Sequence, residues 1–491
     1  MSRGLPNGWV RVPVAMVIED LHSGFACGDK NVEGGVAHLR MNNIGLAGDL
    51  VLDLVRTIPE ELAKPNYALK RGDVLVCTTN SGELVGKCAY FELEGRYAFS
   101  NHLTRLRPRP DIIDGSFLRW ILWLQWRAGA WDDKCKNWVN QSTIPKEALL
   151  AHEIAVPPIR EQRRIVDKLE TLFAKVNGCR ERLADIPAIA KRLRQSILAD
   201  ACSGRLTAEW RDKATDEHLK LSKLVNPNAV ATAEEILEAP EYWQWLPLQA
   251  VCDPNRAVCY GVIKLGPEHS DGIPCLRTSD VKPLRINTGD VKKIAPEIAD
   301  QYQRTVLRGG ELLVNVRGTL GGVAVVPSEL RGWNISREVA LVPIQGVVPE
   351  FVCLWIASLP CQNWLTSVAK GVAYTGINIE DLRLLPIAIP SMAEQREIVV
   401  RAGALLGLAD RIETRSALAR IHIEKLTPSL LAKAFRGELV PTEADSSEAD
   451  GREYESGAQL LAGIKTPSNI LSENGAGRHP ISGRRSARLD R

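Results

Sequence analysis

One stretch of 54 residues occurs twice in this chain. Shifted by 233 positions, residues 154–207 fall on 387–440 without a gap and with 18 identities. The first copy opens IAVPPIREQRRIV and closes LADACSGRLT; the second opens IAIPSMAEQREIV and closes LAKAFRGELV. Glu161-Gln162-Arg163 matches Glu394-Gln395-Arg396, while Pro157, Ser196, Gly204 and Leu206 match Pro390, Ser429, Gly437 and Leu439. A third of the positions identical over such an ungapped length marks a duplication. The chain must therefore fold as two like units rather than as one large domain.

The likeness continues upstream in looser form. GWVRVPV at 8–14 matches YWQWLPL at 242–248, with Trp9 opposite Trp243 and Pro13 opposite Pro247. Leu39-Arg40 lies opposite Leu276-Arg277, LKRGDVLV at 69–76 opposite LRGGELLV at 307–314, and Ser142-Thr143-Ile144 opposite Thr375-Gly376-Ile377. The offset drifts between 233 and 238, as changes in loop length would produce. Each half thus reads as a variable domain followed by a repeated helix.

The repeated segment carries a 3.5-residue apolar period. Ile165, Leu169, Leu172, Val176, Cys179, Leu183, Ile186, Ala190, Leu193 and Ile197 keep 4-3 spacing in the first copy. Ile398, Ala402, Leu405, Ala409, Ile412, Ser416, Ala419, Ile423, Leu426 and Leu430 keep it in the second. Only that period holds one stripe against a partner helix, so two coiled-coil helices packed on each other are expected, antiparallel if they carry the variable domains to opposite ends, with packing of each seam against its own half as the alternative. Gly204 and Gly437 stand at the C-cap, and Pro187 and Pro428 are expected to kink the helices.

Short apolar runs bounded by Gly-rich turns, such as DVLVCTT and ELLVNVR, suit strands. Those near 117–126 and 351–358 suit short helices. The fold class is multidomain α/β (α+β). The expected domains are a first recognition domain at 1–158, a repeat helix at 159–207 and a polar connector at 208–240. A second recognition domain at 241–390, a second repeat helix at 391–440 and a disordered tail at 441–491 follow. Arg484, Arg485 and Arg488 belong to that tail as solvated surface.

The net charge of +3 rules out a strongly basic wrapping protein but permits a local basic face. Eleven cysteines with no CxxC pair and no apolar leader point to reduced thiols in the cytoplasm. The richest apolar run, FLRWILWLQW, is too short for a membrane span.

No catalytic or metal-binding constellation emerges. GELVGKC at 82–88 has one residue too few between its glycines for a phosphate loop, and Cys88 replaces the magnesium-binding hydroxyl, so it reads as a turn. HExxH, GxSxG and zinc-ligand spacings are missing, as are a glycine-rich S-adenosylmethionine loop and the Asn-Pro-Pro-aromatic tetrad of amino-methyltransferases. The eight histidines are dispersed.

What remains is a set of polar residues on Gly-bounded loops. They are Arg40, Asn42 and Asn43 against Arg277, Ser279 and Asp280; Asn80, Ser81 and Lys87 against Arg317 and Thr319; and Asn101 and His102 against Arg337. Such side chains match base edges and phosphates. Two readers of different half-sites would carry different residues in one frame. A coiled-coil adaptor binding protein at both ends, and a self-sufficient nuclease or methyltransferase, are the alternative classes.

The PPIREQRRIV…SGRLTAEWRD and PSMAEQREIV…FRGELVPT segments resemble the central and C-terminal repeats of type I restriction–modification specificity subunits. GWVRVPV and YWQWLPL resemble the openings of their two target-recognition domains. The resemblance covers about 1–440; the tail departs from it. It implies a non-catalytic protein that binds double-stranded DNA at a bipartite target and docks two methyltransferase subunits together with motor-nuclease subunits. No cofactor would bind this chain; S-adenosylmethionine, ATP and magnesium would belong to the partners. Glu161, Gln162, Arg163, Ile165, Leu169 and Leu172, with Glu394, Gln395, Arg396, Ile398 and Leu405, are the expected docking and seam residues.

Overall fold

A computed structural model describes residues 4–28, 31–138, 141–215, 238–369 and 376–464. The chain divides into two compact units, residues 1–181 with 420–491 and residues 182–419.

In the first unit, a four-stranded antiparallel sheet runs in the order Ile18–Ser23, Leu103–Pro108, Val74–Cys77, Cys88–Tyr90. A second sheet places Val36–Leu39 between Arg56–Ile58, antiparallel to it, and Tyr97–Phe99, parallel to it. Val10–Pro13 pairs with Glu153–Val156. All four residues of Val74–Cys77 are buried because the strand separates two cores. Val74 and Val76 face Phe117 and Ile121 of the helix Gly115–Arg127, whereas Leu75 and Cys77 face Leu39 and Phe99 of the second sheet. A strand covered on both sides reads as a continuous apolar run rather than an alternating one.

The second unit repeats this frame. Its four-stranded sheet is Cys259–Tyr260, Val339–Val342, Leu312–Asn315, Val323–Val325. Its second sheet sets Ile273–Leu276 between Lys293–Ile294 and Asn334–Ile335 with the same mixed directions. Gln244–Pro247 pairs with Pro386–Ile389. Leu312 and Val314 join Phe351 and Trp355 of the helix Pro349–Ala357, and Leu313 faces the other way, toward Leu276 and Ile335.

The expected long helices are present. The first spans Ile159–Ala184 and resumes as Ile186–Cys202; the second runs unbroken over Met392–Ala434. The prolines act differently from one another. Pro187 lies in the first turn of the resumed helix, where a missing N–H costs little, while Pro428 sits inside the second helix without ending it. Gly204 and Gly437 take left-handed φ values of 71° and 70°, as C-cap glycines do. The two helices meet in each unit: Arg180 pairs with Glu424 at 3.1 Å in the first, and Arg194 pairs with Asp410 and Glu413, both at 2.6 Å, in the second.

Two expectations change. Beyond the buried Ile398, the seam of the second helix is buried at every seventh residue, Ala402, Ala409, Ser416 and Ile423, whereas Leu405, Ile412 and Leu426 are 38%, 40% and 43% exposed. Small residues occupy most of the closed positions, so packing there covers one stripe rather than two. The tail is folded over 441–464. Thr442 caps the helix Glu443–Ala449 and Ser456 caps Gly457–Gly463, each in a capping box, and Leu460 and Ile464 enter the first unit's core. The polar composition of this segment hid the Thr442/Asp445 and Ser456/Gln459 pairs that start its helices. Residues 465–491, with Arg484, Arg485 and Arg488, lie outside the described residues, as do 216–237 of the connector and Thr375. Among the described residues no helix is long and apolar enough to cross a membrane.

Candidate nucleic-acid interface

The glutamate and glutamine of each repeated Glu-Gln-Arg triplet face the domains rather than a partner. Glu161 is fully buried; its carboxylate accepts from Trp9 Nε1 at 2.8 Å and from the backbone N–H of Glu443 at 2.7 Å. Burial raises its pKa, partly offset by those donors. Glu394 accepts from Thr207 Oγ1 at 2.8 Å and Arg211 Nη1 at 2.6 Å. Gln162 accepts from Asp114 N and donates to the carbonyls of Ile112 and Pro157, all at 2.8 Å. Gln395 accepts from Val348 N at 2.7 Å and donates to Pro390 O at 2.9 Å. Asp114 and Val348 are the N-caps of Gly115–Arg127 and Pro349–Ala357, so each glutamine ties a long helix to the helix of its own unit. A docking role for Glu161, Gln162, Glu394 and Gln395 is therefore replaced by an internal one. Ile165, Leu169 and Ile398 are buried in the cores, Leu172 is half-buried, and Arg163, Arg396 and Leu405 are exposed.

At one end of each pair of sheets, loops converge through matched hydrogen bonds. Ser100 N donates to Leu39 O at 2.9 Å and Ser336 N to Leu276 O at 2.8 Å. Asn101 N donates to Phe25 O and Arg337 N to Val262 O; Thr78 N donates to His102 O and Val316 N to Glu338 O. Ile144 N reaches Thr78 O as Ile377 N reaches Val316 O. Gly24 and Gly261 open the first of these loops, where a Cβ would fall 2.2 Å from Phe99 O and 1.9 Å from Ile335 O. The backbone frame is thus shared, and side chains distinguish the two clusters.

Several expected readers belong to that frame. Asn43 Oδ1 accepts from Arg40 N at 2.9 Å, and Asp280 Oδ2 accepts from Arg277 N at 2.8 Å, so both buried side chains close the same turn. Lys87 is buried, its Nζ donating to Ile44 O at 2.6 Å; burial lowers its pKa. In the second unit Asn315 Nδ2 serves the matching carbonyl, Val281 O, at 3.1 Å. These interactions commit Asn43, Lys87 and Asp280 internally, which corrects their expected place at a DNA surface. Asn80 is half-buried against Cys77 Sγ.

The exposed members are Asn42, Ser81, Asn101, Ser279, Arg317, Thr319 and Arg337, with Arg40, His102 and Arg277 half-buried. Arg277 is ion-paired with Asp280, which raises its pKa, and Arg337 lies 3.2 Å from Glu338. Arg317 faces the Tyr260 ring, 5.4 Å from its centroid. Sequence reasoning passed over Tyr260 and the paired glycines Gly24/Gly261 and Gly35/Gly272. The glycines were within reach, since the offset of 237 that aligns Arg40 with Arg277 also aligns them. Among the described residues no group of His, Cys, Asp or Glu could hold a metal ion.

The family model described as type I restriction modification DNA specificity domain matches residues 55–187 and 268–414, more than half of the chain. The EcoBI specificity subunit of Escherichia coli is 37% identical over 288 residues, 58% of this chain and 58% of its own length, which is less than two thirds of that relative. The EcoKI specificity subunit of Escherichia coli strain K12 is 27% identical over 454 residues, 89% of this chain and 91% of its own length. The HsdS subunit from Thermoanaerobacter tengcongensis shares the fold at 20% identity and a TM-score of 0.57, over 89% of this chain and 98% of that one. A chain from a structure of type I R-M system assembly and conformational transition does so at 20% identity and a TM-score of 0.60, over 89% of this chain and all of that one. Two recognition units on one frame, each fastened to a repeated helix, and a family match across both place this chain among the type I restriction–modification DNA specificity proteins.

Proposed function

We propose that each unit reads one half of a bipartite duplex target through its loop cluster. The observation that carries this is the shared backbone frame bearing different side chains, exposed Asn101 and half-buried Thr79 in one unit against exposed Arg337 and Arg317 in the other. Base edges are distinguished by side-chain donors and acceptors, so one frame with two residue sets gives two specificities. The long helices, joined by ion pairs in each unit, act as an antiparallel coiled coil that sets the unread spacer. Their exposed apolar residues, Leu405, Leu408 and Ile412 among them, dock the methyltransferase subunits.

The chain itself is non-catalytic. Two modification subunits bring S-adenosylmethionine, and motor-nuclease subunits bring ATP and magnesium, so the assembled enzyme methylates adenine or cleaves. The cysteines, all free, suit a cytoplasmic protein. Mapping modified adenines genome-wide, with and without this chain, tests the reading. A bipartite motif that vanishes with the chain is expected, and replacing residues 9–150 by a relative's domain should change one half-site alone. Methylation by the isolated chain, or two altered half-sites, would overturn it.

A further inference from the structure

Three arginines stand in the second unit's loop cluster, and the structure treats them differently. Arg277 gives its guanidinium to Asp280 and to the carbonyl of Asp290, at 2.7 Å from Nη2. Arg337 is beside Glu338. Arg317 is exposed and meets no carboxylate among the described residues; it lies against an aromatic face instead. That face is fixed, because Tyr260 OH donates to Ile377 O and accepts from Ile379 N, each at 3.1 Å. A cation on a clamped ring loses little freedom when it binds.

The first unit shows what the frame looks like without this device. Arg317 pairs across the ladder with Gly376, and the matching pair is Thr79 with Thr143, whose hydroxyls are 3.4 Å apart and engage each other. Gly376 leaves its neighbour room, since a Cβ there would sit 3.0 Å from Arg317 Cγ and press that side chain aside. Between the units a self-satisfied hydroxyl pair has been exchanged for an outward guanidinium and the glycine that makes room for it.

We propose that Arg317 determines specificity in the second half-site by donating two hydrogen bonds to O6 and N7 of one guanine in the major groove. The inference rests on the loop clusters being the DNA face. A guanidinium fork suits guanine's two adjacent acceptors, while phosphate contact requires no such fork and carries no sequence information. The exchange at 79/317 and 143/376 also predicts that the first half-site has no guanine read from the corresponding position.

The test uses the chain reconstituted with its modification subunits on the duplex identified by methylome mapping. The half-site read by the second unit is first assigned by domain replacement. Each guanine in it, on either strand, is then replaced by 7-deazaguanine. One position should weaken binding of the unaltered complex by roughly three- to tenfold, because 7-deazaguanine removes N7 but keeps O6, one of the two acceptors of the bidentate contact. Arg317→Gln should lose at least that factor on the natural duplex, since the O6 bond goes as well, and show no further loss on the 7-deaza duplex. Arg317→Lys should retain part of the discrimination. A half-site without guanine would overturn the inference. So would equal weakening of target and non-target duplexes by Arg317→Gln, or 7-deaza sensitivity that survives the substitution. Asn101→Ala and Arg337→Ala separate this failure from a wrong choice of face: if they and Arg317→Gln all leave binding unchanged, the clusters themselves do not touch DNA.

Discussion

His152 shows how a residue that sequence reasoning did not single out can govern behaviour. It is buried between Lys134, whose Nζ is 2.7 Å from Nδ1, and Gln125, whose Oε1 is 2.8 Å from Nε2, with the Trp131 ring at 4.3 Å. An ammonium can only donate, so the ring is neutral, accepting at Nδ1 and donating from Nε2. Burial and then the Lys134 charge lower its pKa from 6.5 to about 4. Between those two values the unfolded chain takes up a proton that the folded chain refuses, so stability is present above the unfolded pKa and lost as pH falls. The loss between pH 7.5 and 5 should be about 2 kcal/mol, and His152→Gln should flatten it. Urea unfolding midpoints at the two pH values measure this; an unchanged slope in the variant would assign the acid sensitivity elsewhere. Residue-scale facts of this kind were the least legible in the sequence. Lys87 sits in a Gly-Lys turn that reads as surface, yet its partner is the Ile44 carbonyl, 43 residues away. Glu161 is 152 residues from Trp9 and 282 from Glu443. Burial decided by distant chain leaves no local mark.

Elements were far more legible, because their signals are local. The 4-3 apolar period, the C-cap glycines and the fully apolar strand runs each report one kind of burial, and each reappears as the expected element. Where period and structure part, at Leu405, Ile412 and Leu426, the described residues of this chain cover the apolar face only in part. Periodicity records that a stripe needs covering without saying what covers it. The break at Asp185, between helices ending at Ala184 and starting at Ile186, offers a place to test the proposed spacer. Four residues inserted there add about 6 Å and some 400° of helix, so the seam roughly realigns. With duplex DNA rising about 3.4 Å per pair, the unread spacer should lengthen by about one pair and both half-sites should stay the same. Two residues turn the seam by about 200° and should abolish methylation. Methylome mapping of both variants decides it; an unchanged spacer in a fully active four-residue variant would remove these helices as the ruler.

For the whole molecule, the duplication proved deeper than its strongest signal. The identities concentrate in the helices, but the matched hydrogen bonds among loops show that sheets, turns and the obligatory glycines repeat as well. Each unit also closes on a joint that chain order conceals. Gly204 packs near Pro240 and Trp243, and Gly437 packs near Pro6, a Cβ at either glycine falling 2.7 Å from the proline ring. The end of each repeat therefore meets the opening of a recognition domain, which in the first unit joins the two ends of the sequence. The folded tail reinforces that joint: Arg164 pairs with Glu443 at 2.6 Å, the Glu443 N–H satisfies Glu161, and Leu460 and Ile464 enter the core. Ending the chain after Val440 removes these contacts and leaves a buried carboxylate short of a donor, which alone costs on the order of 1–3 kcal/mol. Ending it after Ile464 removes none of them. The chain ending after Val440 should have a lower unfolding midpoint in the first unit and faster hydrogen exchange in Val10–Pro13 and Glu153–Val156, with Gln244–Pro247 unaffected. Exchange rates compared strand by strand in the two truncations give the answer. Equal protection in both would mean that residues 441–464 merely rest on the first unit and do not hold its two chain ends together.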